Sequence, residues 1–290
     1  MSTSVLALLL IVLGTGVHQL EGVMTRKYNE KNAQGGFLFT AMVSLFAMLF
    51  FVVSDRNGLQ FSLQLLPYGL AAGLCYCTAS FLTFVALGCG SFVLSNLFLS
   101  YALLFSVGYG IFFLKEPVTV TTGLGIALSL VSIFLVRGEK KENDTVGFSA
   151  KWLVCILLSC LGSDMLGVLQ KMQQVRFHAA ADNEFMVITL GFSALCLFAA
   201  ELAKNGRTLG RTLRSGGPYA AVAGLSNGAA NLLSLIVNTM LPLSVAAPSR
   251  SGVKILFSFA LARLVFHEKL SVRQLAGILA GTASLILLNL

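Results

Sequence analysis

Long stretches of apolar residues alternate with short polar segments along the whole chain. A helix needs about 20 apolar residues to cross the hydrocarbon core of a bilayer, because each residue adds about 1.5 Å to its length. Ten apolar runs approach that length, at residues 4–22, 35–53, 66–87, 90–114, 119–136, 151–173, 184–203, 217–238, 243–266 and 271–289. The pattern therefore predicts an all-α integral membrane protein with ten transmembrane helices.

The longest polar segment lies after the fifth apolar run. It reads RGEKKENDTVGFSAK and covers residues 137–151. We predict a first five-helix repeat at 1–137, a polar linker at 138–150 and a second five-helix repeat at 151–290.

A short motif occurs once in each half. LPYGLAAGL begins at Leu66 and GPYAAVAGL begins at Gly217, 151 positions later, and the shared proline is expected near the start of each third helix. One added residue extends the correspondence along the chain, as four pairs illustrate: Phe105 with Phe257, Glu116 with Glu268, Gly125 with Gly277, and Ser132 with Ser284. We interpret these matches as an internal duplication. Because each half has an odd number of helices, the second enters the membrane from the opposite side, which makes an inverted repeat.

The composition agrees with a membrane protein and excludes other classes. Hydrophobic residues make up 56% of the 290 positions and charged residues 11%, with a mean hydropathy of +0.84. Soluble domains carry roughly 25% charged residues, so this chain cannot cover a water-facing surface. The net charge of +8 comes mostly from Lys and Arg between apolar runs rather than from a basic stripe with interleaved aromatics, so we expect no nucleic-acid partner.

The same basic residues predict an orientation. Segments on the side of the two termini contain four Lys or Arg, whereas segments on the opposite side contain fourteen. Cytoplasmic loops of membrane proteins are enriched in Lys and Arg, so the count places the linker in the cytoplasm and both termini outside.

No motif for an enzyme or a bound cofactor occurs. The six cysteines lie in apolar runs without the spacing of a zinc site, and we interpret them as packing residues. We find no nucleotide-binding loop, no HExxH or GxSxG motif and no paired acids at catalytic spacing. The N-terminal MSTS lacks the basic region of a cleavable signal peptide, so the first run is expected to be retained. We therefore expect neither an enzyme nor a metal or cofactor.

Two segments that close the halves resemble a known superfamily. FFLKEPVTVTTGLGIALSLVSIFLV ends the first half and RLVFHEKLSVRQLAGILAGTASLILL ends the second. Each has an apolar helix, a glutamate in a tight turn and a glycine-containing final helix. This arrangement resembles the ten-helix EamA-type members of the drug/metabolite transporter superfamily.

The resemblance implies an architecture and a class of function. It implies a cavity lined by helices 1–4 and 6–9, with helices 5 and 10 at the periphery. It also implies transport of small metabolites or drugs by alternating access, coupled to protons or to exchange. Eukaryotic nucleotide-sugar members of the superfamily have cytosolic termini, so the orientation stays open.

The strongest candidate for substrate recognition is a pair of cations in the ninth run. Arg250 and Lys254 are four residues apart in AAPSRSGVKILF, on one helix face near the middle of the membrane. Each costs about 2.5–3.5 kcal/mol or more at the centre of a membrane helix. Their counterparts in the first half are Phe98 and Ala102, so the fold does not require the pair. We expect the pair to bind a substrate carboxylate or phosphate, and internal pairing with Asp164 is the alternative.

Two further ionisable residues lie within predicted spans. Asp164 in SCLGSDMLGV is a candidate to carry protons, and it is also a candidate counter-ion to the cation pair or a contact for a substrate amine. His18 lies in the first run, three residues before Glu21, and is a second candidate for handling protons. A lone histidine near a helix end is also a common packing residue. We assign Asp164 and His18 to coupling or counter-ion roles.

A polar stripe marks one face of the eighth run. Four residues recur at spacings of four, three and four: Asn227, Asn231, Ser234 and Asn238. The equivalent positions of the third run are polar in three of four cases: Tyr76, Ser80, Thr83 and Leu87. Polar faces on the same helix of both halves favour a shared hydrated cavity, and amides that only join membrane helices are the alternative. With the fourth run included, we expect five further substrate contacts: Asn227, Asn231, Tyr76, Ser80 and Asn96.

These features predict a secondary active transporter in the cell membrane. Its substrate would be a small polar metabolite, such as an amino acid, an organic anion or a zwitterion. The alternative within transport is efflux of lipophilic cationic drugs, which two mid-membrane cations disfavour. An intramembrane enzyme or a receptor is a remote alternative. The sequence leaves open the substrate, the coupling ion, the direction of transport and whether the chain is a monomer or a homodimer.

Overall fold

A computed structural model describes residues 3–31, 35–55, 58–100, 120–136, 149–177, 180–205, 209–241, 243–267 and 271–287. Within these ranges 90% of the residues are helical and no strand occurs. The fold is therefore all-α, as the sequence predicts.

The described helices follow the predicted apolar runs. In chain order they are α1 (Thr3–Lys31), α2 (Gly36–Ser54), α3 (Leu66–Cys89), α4 (Phe92–Ser100), α5 (Val120–Val136), α6 (Ala150–Arg176), α7 (Asp182–Asn205), α8 (Leu209–Met240), α9 (Leu243–Leu264) and α10 (Val272–Leu287). The remainder of the fourth run, the turn with Glu116, the turn residue Glu268 and residues 137–148 lie outside the described residues.

Six of the described helices are long and apolar enough to cross a membrane, namely α1, α2, α3, α6, α7 and α8. Large apolar side chains remain on their outer surfaces. Leu8, Leu9 and Leu13 of α1 are 53%, 53% and 56% exposed. Lipid chains can cover such leucines, whereas water cannot do so favourably. These features are those of an all-α, multi-pass membrane protein.

Local sequence explains how several helices begin. Ser149 caps α6 by accepting a hydrogen bond from the backbone N–H of Trp152 at 3.1 Å. Pro67 lies in the first turn of α3, where a missing N–H costs little. Its counterpart Pro218 lies inside α8, which already begins at Leu209. The expectation of a proline at the helix start is therefore wrong for the second half, because the polar residues before the apolar run are helical too.

α1 also extends beyond its apolar run. The run ends at residue 22, but the helix continues through TRKYNEK to Lys31. This segment contains no proline or glycine, so the backbone hydrogen bonds continue after the side chains become polar. Glu21 consequently lies in the interior of the helix rather than at its end.

The principal helix contacts join the two predicted halves. α1 packs along α8, and α3 packs along α6. α2 lies against both α7 and α8, and α4 contacts α9. α5 packs on α10, and α10 also contacts α9. The described helices α1, α3, α4, α8 and α9 therefore surround an interior space.

Two matched glycines permit close helix contacts. A methyl group on Gly73 of α3 would lie 2.9 Å from the backbone oxygen of Thr189 on α7. A methyl group on Gly224 of α8 would lie 2.5 Å from the backbone oxygen of Val43 on α2. Both glycines belong to the repeated Ala-Gly-Leu, so the motif lets a helix of each half approach its neighbour.

Candidate functional site

Two adjoining cavities lie between the helices. Their volumes are about 210 and 240 Å³, and His18, Leu99, Asn231 and Lys254 line both of them. The first cavity extends between α1, α8 and α9, and the second extends towards α2, α3 and α6. A water molecule takes up about 30 Å³ of the liquid, so each cavity has room for several waters or a small organic molecule.

Arg250 of α9 contributes a cationic wall to the first cavity. Its guanidinium donates hydrogen bonds to the hydroxyl of Ser234 and, at 2.9 Å, to the side-chain oxygen of Asn238, both on α8. These neutral oxygens solvate the cation without cancelling its charge. The polar stripe of α8 therefore lies against the cation.

Lys254 lies about one turn further along α9 and lines both cavities. The described part of the chain provides no hydrogen-bond acceptor for its half-buried ammonium. The backbone carbonyl of Lys254 accepts a hydrogen bond from Gln19 at 3.1 Å, and Gln19 also donates to Ser258 at 3.0 Å. These bonds hold α9 against α1. The ammonium is a cation between apolar helices, where an anionic group would stabilise it.

Glu21 of α1 brings a negative charge to the second cavity. Its side chain is 19% exposed and accepts a hydrogen bond from the amide of Asn227 at 2.7 Å. The Nδ1 atom of His18 lies 3.2 Å from the same carboxylate, without the alignment of a hydrogen bond. Lys254 lines this cavity too, within electrostatic range of Glu21, but the two form no direct ion pair in the described structure. Both signs of charge therefore meet in one cavity.

A hydrogen-bond network links this carboxylate to α3 and α8. The hydroxyl of Tyr76 donates to the side-chain oxygen of Asn227 at 3.0 Å. The amide of Asn231 donates to the same oxygen at 2.9 Å. Tyr76 is 6% exposed and Asn227 is 3% exposed, so the network is shielded from bulk solvent. It fixes the carboxamide of Asn227 with its N–H directed at Glu21.

Ser80 and Asn96 lie on the wall of the second cavity. Each donates a hydrogen bond to a carbonyl of its own helix, Ser80 to Tyr76 at 2.7 Å and Asn96 to Phe92 at 3.1 Å. The residues predicted to bind substrate thus all line one cavity or the other, namely Arg250, Lys254, Asn227, Asn231, Tyr76, Ser80 and Asn96.

Asp164 lies on α6 and is half-buried. Its neighbours Ser163 and Leu166 are among the described residues that line the second cavity, and Asp164 is not one of them. The carboxylate among the described lining residues is that of Glu21, and the coupling or counter-ion role of Asp164 stays a prediction.

Sequence reasoning considers Glu21 and Gln19 only as neighbours of His18 and assigns neither of them a role in the site. Ending the first span at residue 22 places Glu21 at a membrane surface, where an acid needs no partner. A usable signal was present in the spacing along α1. Small or polar residues that line the cavities recur every three or four positions: Gly14, His18, Glu21, Gly22 and Thr25.

The described residues contain no group of three or more His, Cys, Asp or Glu side chains that could hold a metal ion. The six cysteines are free thiols, and Cys155 and Cys160 are buried. The buried positions of Cys155 and Cys160 agree with their interpretation as packing residues, whereas Cys89 is exposed.

Comparisons with known proteins identify a shared fold but no family. No family model matches the chain, and no curated protein matches it. One solved structure, described only as the crystal structure of a protein, is 17% identical and has a TM-score of 0.61. The match covers 96% of this chain and 94% of that chain. The two proteins therefore share an overall fold along nearly their whole length.

Proposed function

We propose that this chain is a secondary active transporter in the cell membrane that moves a small polar metabolite with an anionic group. It would work by alternating access, with proton coupling or exchange. The observation that carries the proposal is the ammonium of Lys254, which lines a cavity between apolar helices and has no acceptor among the described residues. A cation without a partner is costly in a membrane, so its place in the cavity favours a ligand that supplies negative charge.

The proposal includes ten transmembrane helices in two inverted repeats, and a reciprocal pair of hydrogen bonds supports it. Ser132 of α5 donates to the carbonyl of Gly277 on α10 at 2.5 Å, and Ser284 of α10 donates to the carbonyl of Gly125 on α5 at 2.7 Å. The two serines are matched positions of the repeat, and so are the two glycines. A twofold axis between the repeats would relate each of these bonds to the other, so a reciprocal pair of this kind is expected from it.

Contacts beside the cavities support the same relation. Tyr76 and Asn227 are matched positions 151 residues apart, and they bond to each other, as equivalent positions beside a twofold axis would. In inverted-repeat transporters the substrate site lies where the two repeats meet. The cavity network containing this bond is therefore where the proposal places the substrate.

Reconstituted vesicles test the proposed function. Liposomes that contain the protein and are preloaded with an unlabelled amino acid or organic acid are expected to accumulate the same labelled compound by exchange. Lys254→Gln is expected to slow this exchange about tenfold or more, because a charge-assisted hydrogen bond is lost. Arg263→Gln, an exposed change near the end of α9, is the matched control. A folded protein that exchanges no anionic or zwitterionic compound would contradict the proposal.

One observation favours export of lipophilic cations as a second candidate function. Glu21 lines the second cavity together with the rings of Phe39, Tyr76 and Phe84. A carboxylate with aromatic walls suits an organic cation. Lys254 in the same cavity opposes this function, because like charges repel. Uptake of tetraphenylphosphonium by the vesicles, abolished by Glu21→Gln, would favour the second candidate over the first.

A further inference from the structure

We infer that the second cavity is a two-ended site for zwitterions, in which Lys254 holds a substrate carboxylate and Glu21 holds a substrate ammonium. This assignment rests on the proposed function of the same cavity. That function requires only an anionic group on the substrate. The assignment adds a cationic group and names the carboxylate that recognises it.

The carboxylate of Glu21 has capacity for further donors. A carboxylate has about four acceptor positions. The amide of Asn227 occupies one of them at 2.7 Å, and Nδ1 of His18 lies 3.2 Å from the same oxygen. The side chain of Glu21 keeps 19% of its surface accessible and lines the second cavity. An ammonium group carries three donors and no acceptor, so it complements this carboxylate.

Asn227 positions Glu21 and is not itself the ammonium ligand. Its side-chain oxygen already accepts hydrogen bonds from Tyr76 and Asn231, and its side-chain nitrogen donates to Glu21. An ammonium needs an acceptor, and the oxygen of Asn227 is occupied. Glu21 is therefore the group in this network with acceptor capacity for a cation.

The separation of the two charges argues for a ligand between them. A direct pair would make Glu21 a simple counter-ion of Lys254, but the two residues line one cavity of about 240 Å³ without direct contact. A molecule with charges at both ends can neutralise both residues. A simple carboxylic acid would neutralise Lys254 and leave Glu21 without a counter-charge, and a simple amine would neutralise Glu21 and leave Lys254 without one. Such unpaired charges discriminate against the wrong ligand.

Binding to the purified protein tests the assignment without requiring transport. The probes are the proteinogenic L-amino acids, their deaminated carboxylic acids and their decarboxylated amines, and the readouts are thermal stabilisation and the dissociation constant. At least one amino acid is expected to bind about tenfold or more tightly than its matched acid and its matched amine, because each loses one charged contact. Glu21→Gln is expected to remove the preference for the amino acid over the acid. Glu30→Gln, an exposed acid on the same helix, is expected to keep it.

Other outcomes of the binding test would overturn the assignment. These are acids that bind as tightly as their amino acids, a Glu21→Gln variant that changes both affinities by the same factor, and an absence of binding by every amino acid. If Glu21→Gln fails to fold, Glu21→Asp replaces it and is expected to weaken the amino acid more than the acid. The experiments distinguish a failure of the proposed function from a failure of the two-ended site. Selective binding of zwitterions without exchange in vesicles would contradict transport and leave the two-ended site standing. Exchange of simple acids with no preference for zwitterions would contradict the two-ended site and leave the transport function standing.

Discussion

Asn227 bonds to three other residues of the cavity network, Glu21, Tyr76 and Asn231. It is 3% exposed, so water cannot replace a bond that is lost. A buried polar group left without a partner costs about 1–3 kcal/mol. The single residue therefore affects both the stability of the bundle and the position of the carboxylate.

Removing the hydroxyl of Tyr76 tests this network. Tyr76→Phe is expected to lower the free energy of unfolding by about 0.6–1.5 kcal/mol, because Asn227 keeps its bond from Asn231. Asn227→Ala is expected to cost about 2–3 kcal/mol, since Glu21, Tyr76 and Asn231 each lose a bond at once. Unfolding by SDS in mixed micelles measures both. Tyr68→Phe is the control, and an equal effect at Tyr68 and Tyr76 would contradict the role of the network.

Glu21 and Asp164 illustrate what an apolar pattern can and cannot predict about a site. The pattern identifies helices with polar faces. From these faces it predicts residues on α3, α8 and α9 that line the cavities, because a spacing of three and four residues fixes a shared face. It does not identify Glu21, because hydropathy detects the apolar part of a helix and not its end. It also cannot choose between the faces of α6, where Ser163 lines the cavity and Asp164 does not.

The lengths of the helices also show what an apolar pattern cannot predict. The apolar runs predict the position of every described helix, because lipid contact demands apolar side chains. They underestimate α1 and α8, which have 29 and 32 residues. Outside the hydrocarbon core, backbone hydrogen bonding and the absence of breakers decide where a helix ends. Polar residues can extend a helix without any hydropathy signal.

Gly224 allows a test of close packing between helices α2 and α8. A methyl group there would lie 2.5 Å from both the backbone oxygen of Val43 and the Cβ atom of Phe46, so the helices must separate. Gly224→Ala is expected to lower the free energy of unfolding by about 1–3 kcal/mol. Gly217→Ala in the same helix meets no atom within 4 Å and is expected to be neutral or to stabilise by up to about 1 kcal/mol. Equal effects of the two changes on SDS unfolding would contradict the close contact.

Over the whole molecule, basic side chains gather at one end of the bundle against aromatic rings. Three such contacts have distances of 5.2, 5.3 and 5.5 Å from cation to ring centroid: Arg26 with Phe266, Lys31 with Tyr219, and Lys204 with Phe37. This end also carries the segments in which the sequence concentrates Lys and Arg. Amphipathic rings and basic chains suit the headgroup region of a membrane, and an excess of basic residues favours its cytoplasmic side.

Single cysteines on a cysteine-free background test the topology. Glu139→Cys in the linker is expected to be protected from a membrane-impermeant maleimide in intact cells, because the excess of Lys and Arg in these segments favours the cytoplasmic side. Gln64→Cys, exposed before α3, is expected to react. Labelling of position 139 but not of position 64 would indicate the opposite orientation. Equal labelling of both sites in intact cells would contradict an odd number of spans between them.

The proposed twofold relation predicts matched energetics for matched residues. Ser132→Ala and Ser284→Ala are each expected to lower the free energy of unfolding by about 0.6 kcal/mol, with values that agree within about 0.5 kcal/mol. Thr282→Ala is the control, because its hydroxyl bonds only within α10, to Ile278. A large cost at one serine and none at the other would contradict the reciprocal contact.

The bond between Tyr76 and Asn227 joins matched positions that now hold different residues. Under the proposed twofold relation, an ancestor made of two identical five-helix chains would have brought this position against its own copy, so tyrosine could have met only tyrosine, and asparagine only asparagine. Fusion into one gene would have allowed each copy to mutate alone. The same would hold for Arg250, whose counterpart in the other half is Phe98. Under this proposal the fusion came before the Arg250–Lys254 pair arose in one half, and relatives made of two identical five-helix chains are expected not to carry the pair on one side alone.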